Sequence, residues 1–230
     1  RFSEREFPGK RAAVLYAQGC NLRCPYCSYA EYLGLKRKDG GLLRERIFSF
    51  LEGKRDRLNG VVFSGGEPTL QDGLMEWMQA VKNLGYAVKL DTNGTQPEVI
   101  REIINAGLVD YIAMDVKAPL ENYASLAGCR CDPEAIRMSI WNIKQSEVDH
   151  EFRTTVVPGL HTLRELKAIT ELLHGAKKYV VQDFVSKNPL RSDLRGRPAF
   201  PPKALEDLRP YALRRVGSYE IRNYEDARKM

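Results

Sequence analysis

The sequence predicts an α/β protein, parallel strands with outer helices, and three observations carry that expectation. Short apolar strands alternate with amphipathic helices, turn-forming Gly, Pro and Asn residues separate them, and the unusual residues collect just after strands. Such alternation calls for parallel pairing with right-handed crossovers. Periodicity alone leaves two architectures open, a doubly wound open sheet and an incomplete (β/α) barrel.

The elements follow in order. A strand over 11–17 runs into a cysteine-rich loop, and a helix over 42–57 follows with Leu43, Ile47, Phe50 and Leu51 along one side. The apolar run 61–64 is a strand ending in Gly65-Gly66, and a helix over 71–84 places Leu74, Trp77, Met78 and Val81 on one face. A strand over 86–91 leads through Thr92-Asn93-Gly94 to a helix over 96–106, closed by Gly107. Strand 109–115 precedes a looser stretch and a helix over 132–146; strand 150–157 ends at Pro158-Gly159, before a helix over 162–174. Strand 178–184 is the sixth. Beyond 185 the chain becomes rich in Pro and Arg and reads as a wrapping loop, then a helix over 203–214 and a strand over 218–222. We expect one domain over 1–230, with a core of about 10–185 and a C-terminal extension of about 186–230.

Five segments fall just after strands: Cys20–Cys27, Gly65–Pro68, Asp91–Gly94, Asp115–Lys117 and Pro158-Gly159. In parallel α/β folds that edge is where ligands bind. Their convergence implies an enzyme.

Composition narrows the setting. With 43% hydrophobic and 29% charged residues the chain can bury a core, which excludes a disordered or fibrous class. No apolar run reaches the roughly 18 residues of a membrane span. The opening residues lack the apolar stretch of a signal peptide, so a cytoplasmic location is expected. The net charge of +6 is scattered among 30 acidic residues, a solvated surface rather than a nucleic-acid footprint.

Three of the five cysteines, Cys20, Cys24 and Cys27, form C-x3-C-x2-C. Three thiolates on one tight loop can hold three corners of an iron–sulfur cubane and leave the fourth iron open for a ligand. The competing reading is structural zinc, which needs a fourth ligand; Ser28 follows Cys27, and Cys129 and Cys131 lie far along the chain in AGCRCD. Those two read as ordinary thiols.

GCNLRCPYC, SGGEP at 64–68, LDTNG at 90–94, MDVKAP at 114–119 and RTTVVPG at 153–159 together closely resemble the radical S-adenosylmethionine (SAM) superfamily. Within it the chain resembles activating enzymes of glycyl-radical enzymes, most closely the activating protein of anaerobic ribonucleoside-triphosphate reductase. The resemblance runs from Phe7 to about Phe184. It implies a partial (β/α)6 barrel of the radical SAM type. It implies a [4Fe-4S] cluster on Cys20, Cys24 and Cys27 and SAM bound by Tyr26, Gly65, Gly66, Glu67, Asp91, Thr92, Asn93, Asp115, Lys117 and Arg153. Tyr26 would lie near the adenine, Glu67 would accept from the ligand ammonium, and Lys117 and Arg153 would face its carboxylate or ribose. A monovalent cation near Asp91, Thr92 and Asp115 is implied by likeness to pyruvate formate-lyase activating enzyme. The chain departs from many relatives at Ser28, where they carry His or Asn, and at QDFVS over 182–186.

The resemblance implies reductive cleavage of SAM and transfer of the radical to a glycine of a partner, with flavodoxin or ferredoxin as electron donor. No acid–base side chain is then required, in keeping with the unremarkable settings of His150, His161 and His174. Two alternatives stand beside it, a small-molecule enzyme of the 7-carboxy-7-deazaguanine synthase type and a non-catalytic iron–sulfur electron carrier.

Overall fold

A computed structural model describes residues 2–28, 33–34 and 43–222. Its strands are β1 (Phe2–Ser3), β2 (Ala12–Ala17), β3 (Gly60–Gly65), β4 (Ala87–Thr92), β5 (Tyr111–Asp115), β6 (Asp149–Val156), β7 (Tyr179–Asp183) and β8 (Tyr219–Arg222). The helices are α1 (Arg44–Glu52), α2 (Leu74–Asn83), α3 (Pro97–Asn105), α4 (Tyr123–Ala127), α5 (Pro133–Gln145), α6 (Leu163–Leu172) and α7 (Pro202–Ala212).

Each strand pairs with the next in the chain, in the order β1 to β8. All these pairings are parallel except that of β1 with β2. A doubly wound sheet reverses its strand order at a switch point. This one never reverses, so it curls as an incomplete barrel whose end strands, β1 and β8, remain apart. The C-terminal ends of β2–β7 therefore open on one rim.

Two packing layers hold the curve. Between sheet and helices lies the larger core, where Ile100 and Ile103 of α3, Ile136, Ile140 and Ile143 of α5, and Leu166 and Ile169 of α6 are buried. Each such side chain contributes about 2 kcal/mol by leaving water. Helix α6 is started by a reciprocal cap between Thr162 and Glu165. Inside the barrel a small apolar plug of Phe7, Ala12, Val14 and Val62 closes the bottom. Gly60 makes room for it, since a Cβ there would stand 2.9 Å from the Phe7 ring.

Several expected elements shift. The helix expected over 42–57 is Arg44–Glu52, its expected first residue lying outside the described residues; Leu51 is buried, but Leu43 and Phe50 face solvent. Phe50 instead meets the ring of Phe2, whose strand, too short for a periodicity signal, is the antiparallel edge. The helix over 71–84 begins at Leu74, because residues 68–70 form a separate turn with Glu67 as its cap. The looser stretch after β5 contains α4, which ends at Gly128 in left-handed backbone. The tail helix and strand form one more strand–helix–strand unit, with β8 parallel to β7.

Gly128 yields a test. Its φ is 70°, and an added Cβ would stand 1.9 Å from the Arg23 carbonyl oxygen; Gly107, at φ 64°, has nothing within 4 Å. Gly107→Ala should cost about 1 kcal/mol for backbone conformation alone. Gly128→Ala should cost about 3 kcal/mol, because overpacking adds to that. Equal losses in denaturant melts would show that the close approach carries no energy.

Candidate active site

The cysteine loop has no regular structure, and its backbone is held from three sides. From the β3 loop, Gly66 N donates to Ala17 O and Glu67 N to Gly19 O, both at 2.8 Å. From the end of α4, Ala127 O accepts from Arg23 N at 2.8 Å. From the C-terminal extension, Leu190 N donates to Cys27 O at 3.1 Å and Arg191 N to Pro25 O at 2.8 Å. The Arg23 side chain folds back onto the carbonyls of Cys20 and Leu22, at 2.7 and 2.8 Å. Gly66 is required by space: a Cβ would sit 2.1 Å from Gly19 O. Gly65, at φ 105°, meets the backbone of Ala17 in the same way.

Cys20 and Cys24 are buried, Cys27 is half-buried, and none is in a disulfide. Among the described residues no three His, Cys, Asp or Glu side chains gather to hold a single metal ion. Cys129 reaches the loop, donating from Sγ to Asn21 O at 3.3 Å, but it does not complete such a group. This donor set does not supply the closed tetrahedron of structural zinc. Three thiols lining one cavity suit a polynuclear cluster. Burial pushes the Cys24 thiol up to about 11 and raises Cys20 as well, so metal ligation must drive their deprotonation.

One cavity joins the expected residues. Cys20, Cys24, Cys27, Tyr26, Gly65, Gly66, Asp91, Thr92, Asn93, Asp115, Lys117 and Arg153 all line it. Glu67 does not. It is fully buried beneath the rim, where one carboxylate oxygen accepts from Thr69 N, Thr69 Oγ1 and Thr92 Oγ1 at 3.1, 2.6 and 2.7 Å. The other accepts from Asn93 N at 2.7 Å. Burial raises its carboxyl against the pull of these donors. A bond to a ligand ammonium would have to displace one of them.

Asn93 carries this grip onward, donating from Nδ2 to Asn21 Oδ1 at 3.0 Å and lying 3.7 Å from Cys20 Sγ. Thr95 closes the link, receiving Asn21 Nδ2 at 2.8 Å. Tyr26 is buried, and its hydroxyl has no hydrogen-bond partner among the described residues. An orphaned polar atom beside a cavity fits a bound polar group.

Part of the cavity lining is charged. Arg153 donates from Nε to Asp115 Oδ1 at 2.7 Å and from Nη1 to Asp91 Oδ1 at 3.3 Å. Lys117 Nζ lies 2.9 Å from Asp115 Oδ2. Arg153 and Lys117 hold the Asp115 carboxyl well below the usual carboxylate range; Lys89 and Arg153 do the same for Asp91, against the cost of burial.

Glu6, Ser64, Thr155, Gln182, Asp183 and Val185 also line the cavity, as does Ser28. Inward alternation on β6 from Arg153 would have found Thr155; no signal pointed to Glu6. His161 is a structural pin. Its Nδ1 accepts from Val157 N at 3.1 Å, so Nε2 carries the proton and donates to Lys117 O at 2.9 Å.

A partial parallel barrel with a three-cysteine rim loop facing a polar cavity defines a class of cofactor-dependent enzyme scaffold. Residues 14–173 match the radical SAM superfamily, and the chain belongs to it. The family implies a [4Fe-4S] cluster and SAM, and the residues present fit both. A Methanocaldococcus jannaschii protein with the provisional designation of glycyl-radical enzyme activating enzyme is 35% identical over 94% of this chain and 91% of its own length. A 7-carboxy-7-deazaguanine synthase of Thermococcus kodakarensis is 30% identical, over 47% of this chain and 50% of its own. Among solved structures, Streptococcus suis SuiB bound to S-adenosylmethionine superposes with a TM-score of 0.71 at 12% identity, covering 92% of this chain. This chain spans 50% of SuiB, and the likeness is one of fold. No helix among the described residues is long and apolar enough to cross a membrane.

The carboxylate pair sets an acid limb. A carboxyl held low when folded adds stability above its unfolded value of about 4, lost as pH falls toward the folded value. Wild-type melting temperature should therefore drop between about pH 5 and 3. Asp115→Asn should flatten that drop and cost about 2 kcal/mol at neutral pH through its lost charged bonds. An unchanged acid slope would show that the pair is not coupled to folding.

Proposed function

We propose that this chain is a glycyl-radical-enzyme activase whose partner is an anaerobic ribonucleoside-triphosphate reductase and whose electron donor is a flavodoxin or ferredoxin. The cysteine loop and the SAM-facing candidates sharing one cavity carry this reading. The likeness to the Methanocaldococcus jannaschii protein over nearly the whole of both chains supports the activase class. Similarity to 7-carboxy-7-deazaguanine synthases is confined to about half of this chain, which makes that reaction the second reading.

Cys20, Cys24 and Cys27 would hold the cluster, leaving one iron for the cofactor. When bound, the cluster would supply the single electron for reductive cleavage of SAM, the chemistry that ends in hydrogen abstraction from a partner glycine. The protein's own part is to place and shield. Tyr26 would flank the adenine and give its hydroxyl a partner. Gly65 and Gly66 let the β3 loop close onto the backbone of Ala17 and Gly19, which would keep the cysteine loop seated beside the ligand. Arg153 and Lys117 would receive the ligand carboxylate on the positive side of the Asp115 pair. Glu67 enters by fixing Thr92 and Asn93. Gln182 and Asp183, which also line the cavity, would contact the substrate.

Anaerobic reconstitution with iron and sulfide, then SAM, reductant and the candidate reductase, should yield 5′-deoxyadenosine and a glycyl-radical EPR doublet on the reductase. Deoxyadenosine without the doublet on any glycyl-radical candidate sinks the activase reading, and turnover on a free pterin would favour the synthase. Cys24→Ala should abolish both signals.

A further inference from the structure

The charged wall contains a group that the site's expected chemistry leaves unused. Lys89, mid-strand in β4, is 1% exposed, among the most buried side chains in the molecule. Its ammonium meets Asp91 Oδ1 and lies 5.9 Å from the Tyr111 ring centroid. Burying an ammonium costs several kcal/mol unless it is paired, so this one is held by what surrounds it. From β4 it faces Asp91, from β5 the Tyr111 ring, and from β6 Arg153 and the buried Glu151, itself bonded to Arg222 at 3.1 Å.

Charge matching shows what the ammonium does. Two carboxylates, Asp91 and Asp115, stand at neighbouring strand ends. Arg153 is shared, with its shorter bond to Asp115, which also has Lys117. Without Lys89, the buried Asp91 would keep only the 3.3 Å bond to a shared guanidinium as its ionic partner. That deficit is one that a small inorganic cation could fill. With Lys89, Asp91 has a resident ammonium beside the shared guanidinium, which repels a further cation at that carboxylate.

The geometry points to Lys89 as the resident counter-cation of this site, so that ligand binding here needs no inorganic monovalent cation. The binding arm of the test rests on the proposed cofactor; the melting arm does not.

The test compares the anaerobically purified, cluster-loaded chain in KCl and in choline chloride at matched ionic strength, reading melting temperature and the dissociation constant for SAM. Wild type and Lys89→Arg should give the same values in both salts. Lys89→Met should lose about tenfold in affinity in choline chloride and recover much of it, with a higher melting temperature, in KCl. A wild-type melting temperature or dissociation constant that follows K⁺ overturns the assignment. So does a Lys89→Met protein matching wild type in both salts. If Lys89→Met does not fold, wild type and Lys89→Arg decide alone: independence of K⁺ in both supports the proposal, and dependence in either overturns it. If wild type binds no SAM in either salt, the cofactor reading fails, and the melting comparison still judges Lys89.

Discussion

The buried carboxylate of Glu67 is the point on which the rim depends. Its backbone N–H holds the cysteine loop at Gly19, and its side chain grips the end of β4 through Thr92 and Asn93. Asn93 then reaches back to Asn21 and Cys20. A single side chain thereby sets the spacing between the thiols and the Asp91 wall. Gly66 must be small for the same reason, since the loops touch backbone to backbone. A charged acceptor can take several donors at once, which suits it to tying three loops.

The barrel interior is divided by height. Phe7, Ala12, Val14 and Val62 fill the bottom with carbon. Above them come the bonded charges Glu151–Arg222 and Lys89–Asp91–Arg153–Asp115–Lys117. Burying so many charges is tolerable only because each has partners in place, which makes the wall rigid and leaves little to reorganise when a ligand arrives. The C-terminal strand β8 supplies Arg222, so the last unit of the sheet braces the wall from below.

Much of this was legible in the sequence because it is written at short range. Apolar strands covered on both sides, such as VVFS and the run around Ile112, read directly as strands of a parallel sheet. The C-x3-C-x2-C spacing, Gly65-Gly66 and the Asp91–Gly94 run identified the rim before any coordinates. Relations between distant residues were not legible. Glu67 read as a ligand contact, whereas its oxygens are taken by Thr69, Thr92 and Asn93. The role of Lys89 was not legible either, because inward and outward positions of a strand cannot be told apart until the sheet curls. Cys129, remote in the chain, lies against Asn21 because α4 turns back at Gly128.

The fastening of the cysteine loop also bears on how the protein is made. Its cysteines leave the ribosome before the backbone groups that finish the loop, Ala127 O and the N–H groups of Leu190 and Arg191. Until then the loop lacks these three fastenings. The loop around these sulfurs is therefore fully fastened only when residues 190 and 191 have folded back onto it.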